Sequence, residues 1–408
     1  MGVRTAWGQK VEIHTKQPGG GRMRGKMEKN IYFMALGGGQ RVGASCYYLK
    51  LGDGNLILDA GTGISGGVVF EPDLYSLITS PFLQSMNQID QVYISHAHLD
   101  HLGYLLKLMR DAKMAGVYMT EITALLAEYQ LYDRSFIQRE EGEEKRLAAK
   151  NLLDRIARVS YMEQIDFGKY KVTFLPAGHI PGAMMLLFEF GKRRILYTGD
   201  YSLERTALTN GCMVPANIPI DTVIMCGLHA KHPDYAKKSD ALFSRVRQVL
   251  RVVEEKREPV LCRIRQLSKG IEFIRTLNEW NVDKVPVYLD RQVMDVVQKM
   301  EQMSIPILDM EQKMIEGTVP KEPHILITNR RGGFFGRFYR EINIEFSLHG
   351  DFSDMQEFIR KVNPKKAVIV HCAKEHSPFD QTIEQVMMMD GECRTQFIFA
   401  EEKEIYQL

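Results

Sequence analysis

Ile94-Ser95-His96-Ala97-His98-Leu99-Asp100-His101 is the stretch on which the reading of this 408-residue chain turns. It follows an apolar run, 92–94, with the pattern of a short buried strand, so three imidazoles and a carboxylate fall where the chain leaves a sheet as a loop. From there they can point into one space. Zinc and similar divalent ions bind such N and O donors, and there are enough of them here to serve two ions. A lone His-x-His would say little, because loop histidines are often plain polar residues. Asp100 and His101 at this spacing change that.

Outward from this stretch, the runs 31–36, 45–51 and 56–59 read as strands, with Gly52-Asp53-Gly54-Asn55 as a hairpin turn between the last two. Helical periodicity appears at 102–113, 120–129 and 143–156, and strands return at 172–175, 184–190 and 194–197. Further on, helix 241–255, strand 260–264, helix 271–280 and strand 285–289 alternate, which implies parallel pairing in an α/β unit. A last helix (355–362) and buried strand (367–370) repeat the scheme. Gly61-Thr62-Gly63-Ile64-Ser65-Gly66 fits the dinucleotide-binding pattern G-x-G-x-x-G, but Gly67, Val68, Val69 and Pro72 open no helix and 81–86 holds no acid. The dinucleotide reading is rejected.

Composition bounds the rest. The length suits two or three compact units, and 53 basic against 51 acidic residues argue against a surface that binds polyanions everywhere. No apolar run approaches the ~18 residues of a membrane helix. The first residues lack the apolar core of a secretory signal, and Ala6 stands where a myristoylation motif wants Ser or Thr, so the expectation is a cytoplasmic protein with no membrane contact. Six cysteines without a C-x-x-C pair suggest neither a disulfide framework nor a zinc ribbon.

His96-x-His98-x-Asp100-His101 resembles the signature of the metallo-β-lactamase superfamily. The resemblance makes later residues searchable: His179 after 175–178, Asp200 after Thr198-Gly199, and Asp59 at an early strand end, with an orienting role behind the metals. Such a site performs metal-assisted hydrolysis without fixing the substrate. The span between Asp200 and His349, with its α/β pattern, resembles the inserted cap of the β-CASP nucleases, the ribonuclease J-like and polyadenylation-factor cleavage-subunit-like group. Residues 344–351, containing His349, and 367–371, ending in His371, resemble that group's later motifs. A histidine at 371 resembles its RNA-specific branch.

The expected fold is therefore an α/β protein, a metallo-β-lactamase αββα sandwich with an inserted α/β β-CASP cap domain. Its expected divisions are a basic Gly-rich arm (1–28), a first metallo-β-lactamase part (29–230), the cap (231–342) and a C-terminal part (343–408). The resemblance implies two Zn2+, with Mn2+ the alternative: His96, His98 and His179 on one, Asp100, His101 and His371 on the other, and Asp200 bridging. A hydroxide between them would attack single-stranded RNA in line, leaving 5′-phosphate and 3′-hydroxyl ends. Asp100, Asp200 and His349 are the catalytic candidates, His349 contacting the scissile phosphate or protonating the leaving oxygen. Lys269 stands where the family usually has Arg. Arg330, Arg331, Phe334, Phe335 and Arg337 combine cations for phosphates with rings for unpaired bases.

One departure stands out. Cys226 lies where the family has an acidic residue that orients the histidine matched here by His349, so either His229 substitutes or His349 is less well held. His229 and His232 form a His-x-x-His pair beyond the seven matched ligands. The competing readings are a DNA nuclease or other phosphoesterase, and a weakly active RNA-binding subunit of a processing or defence complex. The expected partners are RNA and a homodimer or RNA-processing complex.

Overall fold

A computed structural model of the chain describes residues 31–131, 142–232, 241–308, 313–314, 321–330, 338–373, 381–389 and 394–408, with only the backbone at 142–145 and 313–314. The 1–28 arm and Arg331, Phe334, Phe335 and Arg337 lie outside these residues. The chain opens with β1 (Ile31–Gly37), β2 (Cys46–Leu51) and β3 (Gly54–Leu58), antiparallel in order. Gly52, at φ +61°, turns β2 into β3 as the D-G signal implies. The rejected glycine motif is a separate hairpin, β4 (Gly63–Ser65) and β5 (Val68–Phe70), turned by Gly66 and Gly67.

After α1 (Leu74–Ile78), the strands β6 (Gln91–Tyr93), β7 (Gly116–Thr120) and β8 (Ala157–Val159) extend the sheet from β3 in parallel. Their connections carry α2 (Leu99–Leu102), α3 (Leu105–Asp111), α4 (Glu121–Leu131) and α5 (Gly142–Leu153). The single helix expected at 102–113 is thus divided. Tyr104 N donates to Ala60 O at 2.8 Å instead of to the preceding turn. Gly103 lies so close to Thr62 that a Cβ would come within 2.6 Å of its Oγ1.

A second sheet starts with β9 (Gln164–Asp166), β10 (Lys171–Pro176), β11 (Met184–Phe190) and β12 (Arg193–Tyr197), all antiparallel, and adds β13 (Thr222–Cys226) parallel to β12. The chain then builds a five-stranded parallel unit from α6 (Ala241–Lys256), β14 (Val260–Arg263), α7 (Leu267–Trp280), β15 (Val287–Leu289), α8 (Arg291–Gln302), β16 (Lys313–Met314), β17 (Ile325–Thr328) and β18 (Arg340–Asn343). Helix α7 begins four residues ahead of the expected 271, which moves Ser268 and Lys269 onto its first turn. Helix α9 (Phe352–Val362) returns the chain to β19 (Lys366–Val370), which pairs with β13. Then come α10 (Ile383–Met389), β20 (Gln396–Phe399) beside β19, and β21 (Ile405–Gln407) on β1.

Among the described residues two seven-stranded sheets result, and strand periodicity sorts their side chains. Ile31, Phe33, Tyr47, Tyr93, Phe174, Phe188, Tyr197 and Val370 fill the space between the sheets. The alternate residues, Met34, Ile57, Val223, Met225 and Ile369 among them, face outward and pack in one core with helix residues such as Leu105, Leu126 and Phe358. Each fully buried Phe or Leu contributes about 1.5–3 kcal/mol. This is the αββα sandwich with an α/β insertion. Among the described residues no helix is long and apolar enough to cross a membrane.

Candidate metal centre

The seven candidate ligands sit at or just beyond the carboxyl ends of β6, β10, β12 and β19, where α/β sheets present their sites. His96, His98, His179 and Asp200 each offer a donor atom within 4.8 Å of the others, and Asp100, His101 and His371 form a second such group. Asp200 Oδ2 lies 3.6 Å from His96 Nε2, 3.9 Å from His179 Nε2 and 3.4 Å from His101 Nε2, so one carboxylate faces both groups. Asp100 Oδ2 is 3.9 Å from His101 Nε2 and 3.8 Å from His371 Nε2.

Hydrogen bonds on the far side of each ring fix which nitrogen looks inward. His179 Nδ1 has a carbonyl partner, Leu348 O at 3.0 Å, so it carries the proton and Nε2 presents a lone pair. His101 Nδ1 donates to Asp59 Oδ2 at 2.7 Å, with the same result. Ser95 Oγ gives its proton to Asp59 Oδ2 at 2.8 Å and therefore accepts from His96 Nδ1 at 3.0 Å. His98 is reversed: Nδ1 faces His96 and His179, and Nε2 lies 3.0 Å from Ser268 Oγ on α7. His371 Nδ1 rests 3.0 Å from Ser45 Oγ.

Asp59 is the hub behind these rings. Fully buried, it accepts from Ser95 N (2.6 Å), Ser95 Oγ, His101 Nδ1 and Tyr197 OH (2.5 Å). Its backbone is left-handed at φ +60°, and that of His371 at φ +53°, conformations costing about 1–3 kcal/mol each in non-glycine residues. Gly61, from the discarded motif, acquires a purpose here: a Cβ there would lie 1.7 Å from Asp100 O, so only glycine lets the Asp100 turn pack against β3's end.

Burial pushes His96, His98 and His349 well below the usual imidazole range, and His179 down to about 4. His101 goes the other way. Burial would depress it too, but Asp200, Asp59 and Asp100 hold it well above. Burial would raise Asp200, yet the surrounding His101, His349 and His371 keep its carboxyl well below the ordinary range. His101 Nε2 and both Asp200 oxygens are buried without a hydrogen bond among the described residues. Such orphaned donors, converging from two sides on one carboxylate, fit a pair of divalent cations.

His349 Nδ1 points at Asp200 Oδ2 from 3.4 Å, with its ring 4.3 Å from that of His179. Asp200 is thus the carboxylate that His349 faces, and Cys226 joins the two in a third group of donors. His229 and His232 belong to none of the donor groups among the described residues.

Of the candidate RNA contacts, Lys269 is half-buried beside the centre, close enough for its charge to act on His98, His179 and His349. Arg330 is exposed and lines a cavity of about 500 Å3 with Tyr129, Arg291 and Gln298. A second cavity, of about 320 Å3, opens on His98 and Asp100 and is lined by Gln130, Arg265, Gln266 and Ser268. Sequence reasoning missed Ser268, Ser95, Tyr197 and Ser45. None has a motif signal; each is found only once the fold places it behind a ligand.

Residues 39–215 match the metallo-beta-lactamase superfamily, and residues 340–386, which include His349 and His371, match the Zn-dependent metallo-hydrolase RNA specificity domain. The chain belongs to the metallo-β-lactamase superfamily. Within it, the inserted parallel unit and the C-terminal match make it a member of the β-CASP nuclease family. It is 30% identical over 271 residues to "Endoribonuclease ysh1" of Schizosaccharomyces pombe (63% of this chain, 34% of that protein). It is 27% identical over 274 residues to "Probable RNase MJ4" of Methanocaldococcus jannaschii (65% and 60%). The chain thus covers between a third and three fifths of these two relatives. A crystal structure of a protein of unknown function from Enterococcus faecalis V583 shares the fold, with a TM-score of 0.65 at 15% identity over 93% of this chain and 100% of that one.

Proposed function

We propose that the protein is a metal-dependent ribonuclease that hydrolyses phosphodiester bonds of single-stranded RNA at two divalent ions, zinc by the chemistry of its donors. The observation that carries this reading is the split donor set, His96/His98/His179 and Asp100/His101/His371, with Asp200 facing both halves. When bound, a pair of such ions lowers the pKa of a water molecule and screens the charge of a phosphodiester. The chain's own residues do the rest. Asp59 and Ser95 hold the rings in register, and Lys269 brings a cation to the phosphate. His349, beside Asp200, contacts the scissile phosphate or protonates the leaving oxygen.

RNA is favoured over DNA because the RNA specificity match includes His371 and because the named relatives are ribonucleases. The cavity at His98 and Asp100 gives a strand access, and Arg265 and Gln266 at its wall suit a phosphate backbone. The test is cleavage of end-labelled single-stranded RNA, with a 5′-phosphate or a 5′-hydroxyl, against single-stranded DNA of the same sequence. The zinc-loaded protein should cut RNA preferentially, and His96→Ala with Asp100→Ala should abolish cutting. Retained activity in that double variant would overturn the assignment.

A further inference from the structure

Asp200, Cys226 and His349 form a donor group of their own, with a carboxylate oxygen, Sγ and a ring nitrogen all within 4.8 Å of one another. Asp200 is 1% exposed and neither of its oxygens accepts a hydrogen bond among the described residues; His349 Nδ1 is likewise buried without one. We propose that Asp200, Cys226 and His349 are a third ion site, weaker than the other two and selective for thiophilic divalent cations, whose occupation withdraws Asp200 and His349 from hydrolysis. The inference rests on the nuclease reading above, of which it describes a regulation.

Thiolate, imidazole and carboxylate together are a set that zinc and cadmium accept and magnesium does not. Donors on one tetrahedral zinc lie about 3.3–3.8 Å apart, so small side-chain rotations close a group already within 4.8 Å. The site shares its only carboxylate with the other two groups and would hold its cation beside theirs, so it fills last. Binding exchanges the thiol proton for the metal: the S–H bond breaks, an S–metal bond forms and the proton goes to solvent. A carboxylate at position 226 would offer hard oxygen in place of sulfur, so the selectivity belongs to the cysteine.

The test is titration of the metal-free full chain with Co2+, followed by thiolate-to-cobalt absorption in the near ultraviolet, with RNA cleavage measured in parallel. Two equivalents should bind without that band and support cleavage. A third should raise the band and suppress cleavage. Cys226→Ser should lose both the band and the third equivalent, and His349→Ala, which keeps the thiol, should shift the band to higher cobalt concentration. Two bound equivalents with no thiolate band in excess cobalt would overturn the third site while leaving the nuclease reading intact. So would a band that grows with the first two equivalents, or one unmoved by His349→Ala. Fewer than two equivalents with no cleavage would overturn both.

Discussion

Ser268→Ala tests whether the inserted unit helps to build the metal centre. Ser268 is 4% exposed and His98 5%, and Ser268 Oγ lies 3.0 Å from His98 Nε2. Nδ1 faces His96 and His179, so a metal held there would leave the proton on Nε2, with that hydroxyl as its acceptor. Removing it deletes a hydrogen bond worth about 0.5–1.5 kcal/mol and leaves a buried donor unsatisfied, a penalty of about 1–3 kcal/mol. Water entering from the adjacent cavity recovers part of this. The net expectation is ~10–100-fold weaker binding of the ion held by His96, His98 and His179, or about 1.4–2.8 kcal/mol. The ion at Asp100, His101 and His371 should be held almost as before. Competition of each ion against a chromophoric chelator measures both constants, and circular dichroism checks the fold. If both affinities stay within about threefold of wild type, Ser268 does not position His98.

Two further perturbations follow from the same geometry. Asp59→Asn keeps a residue that tolerates left-handed backbone, but it offers one acceptor oxygen where Ser95 N, Ser95 Oγ, His101 and Tyr197 now find two. It should destabilise the protein by about 1–3 kcal/mol in urea unfolding; a change under about 0.5 kcal/mol would contradict the hub. Glu272, buried on α7, accepts from Ala207 N at 2.8 Å and Leu208 N at 3.3 Å, and burial lifts its carboxyl to about 7. Because the folded value lies above the unfolded one, its contribution to stability is complete below the usual glutamate range and is lost as pH rises towards 7. Glu272→Gln should flatten that fall in a pH series of unfolding midpoints, and an unchanged slope would refute it.

Much of the sandwich is legible because its signals are local. The strand before His96 and the D-G turn after Leu51 are each decided within a few residues, and the donors fall in order along the chain. What escapes the sequence depends on residues that meet only after folding. The break at Gly103 comes from Ala60 and Thr62, which are distant in sequence. The early start of α7 and the Ser268 contact with His98 need the insertion docked on the sandwich. The pairing of β21 with β1 joins opposite ends of the described chain. Helix α8 is a different case. Its cap, Asp290, accepts from Gln292 N and Val293 N, and Val293, Val296, Val297 and Met300 follow at helical spacing. The strand expected at 285–289 ends just before this cap, and the helical spacing beyond it is legible in the residues themselves.

The inserted unit lies between Cys226, at the end of β13, and His349, ahead of α9, and the side-chain donors of these two residues lie within 4.8 Å of each other beside Asp200. The lobe therefore hangs from a closed neck. Closing a flexible loop costs only about 0.6 kcal/mol more for each doubling of its length. A lobe on such a stalk can grow or shrink in descent while the strand order of the two sheets stays as it is. Its attachment lies beside Asp200, the carboxylate that faces both donor groups.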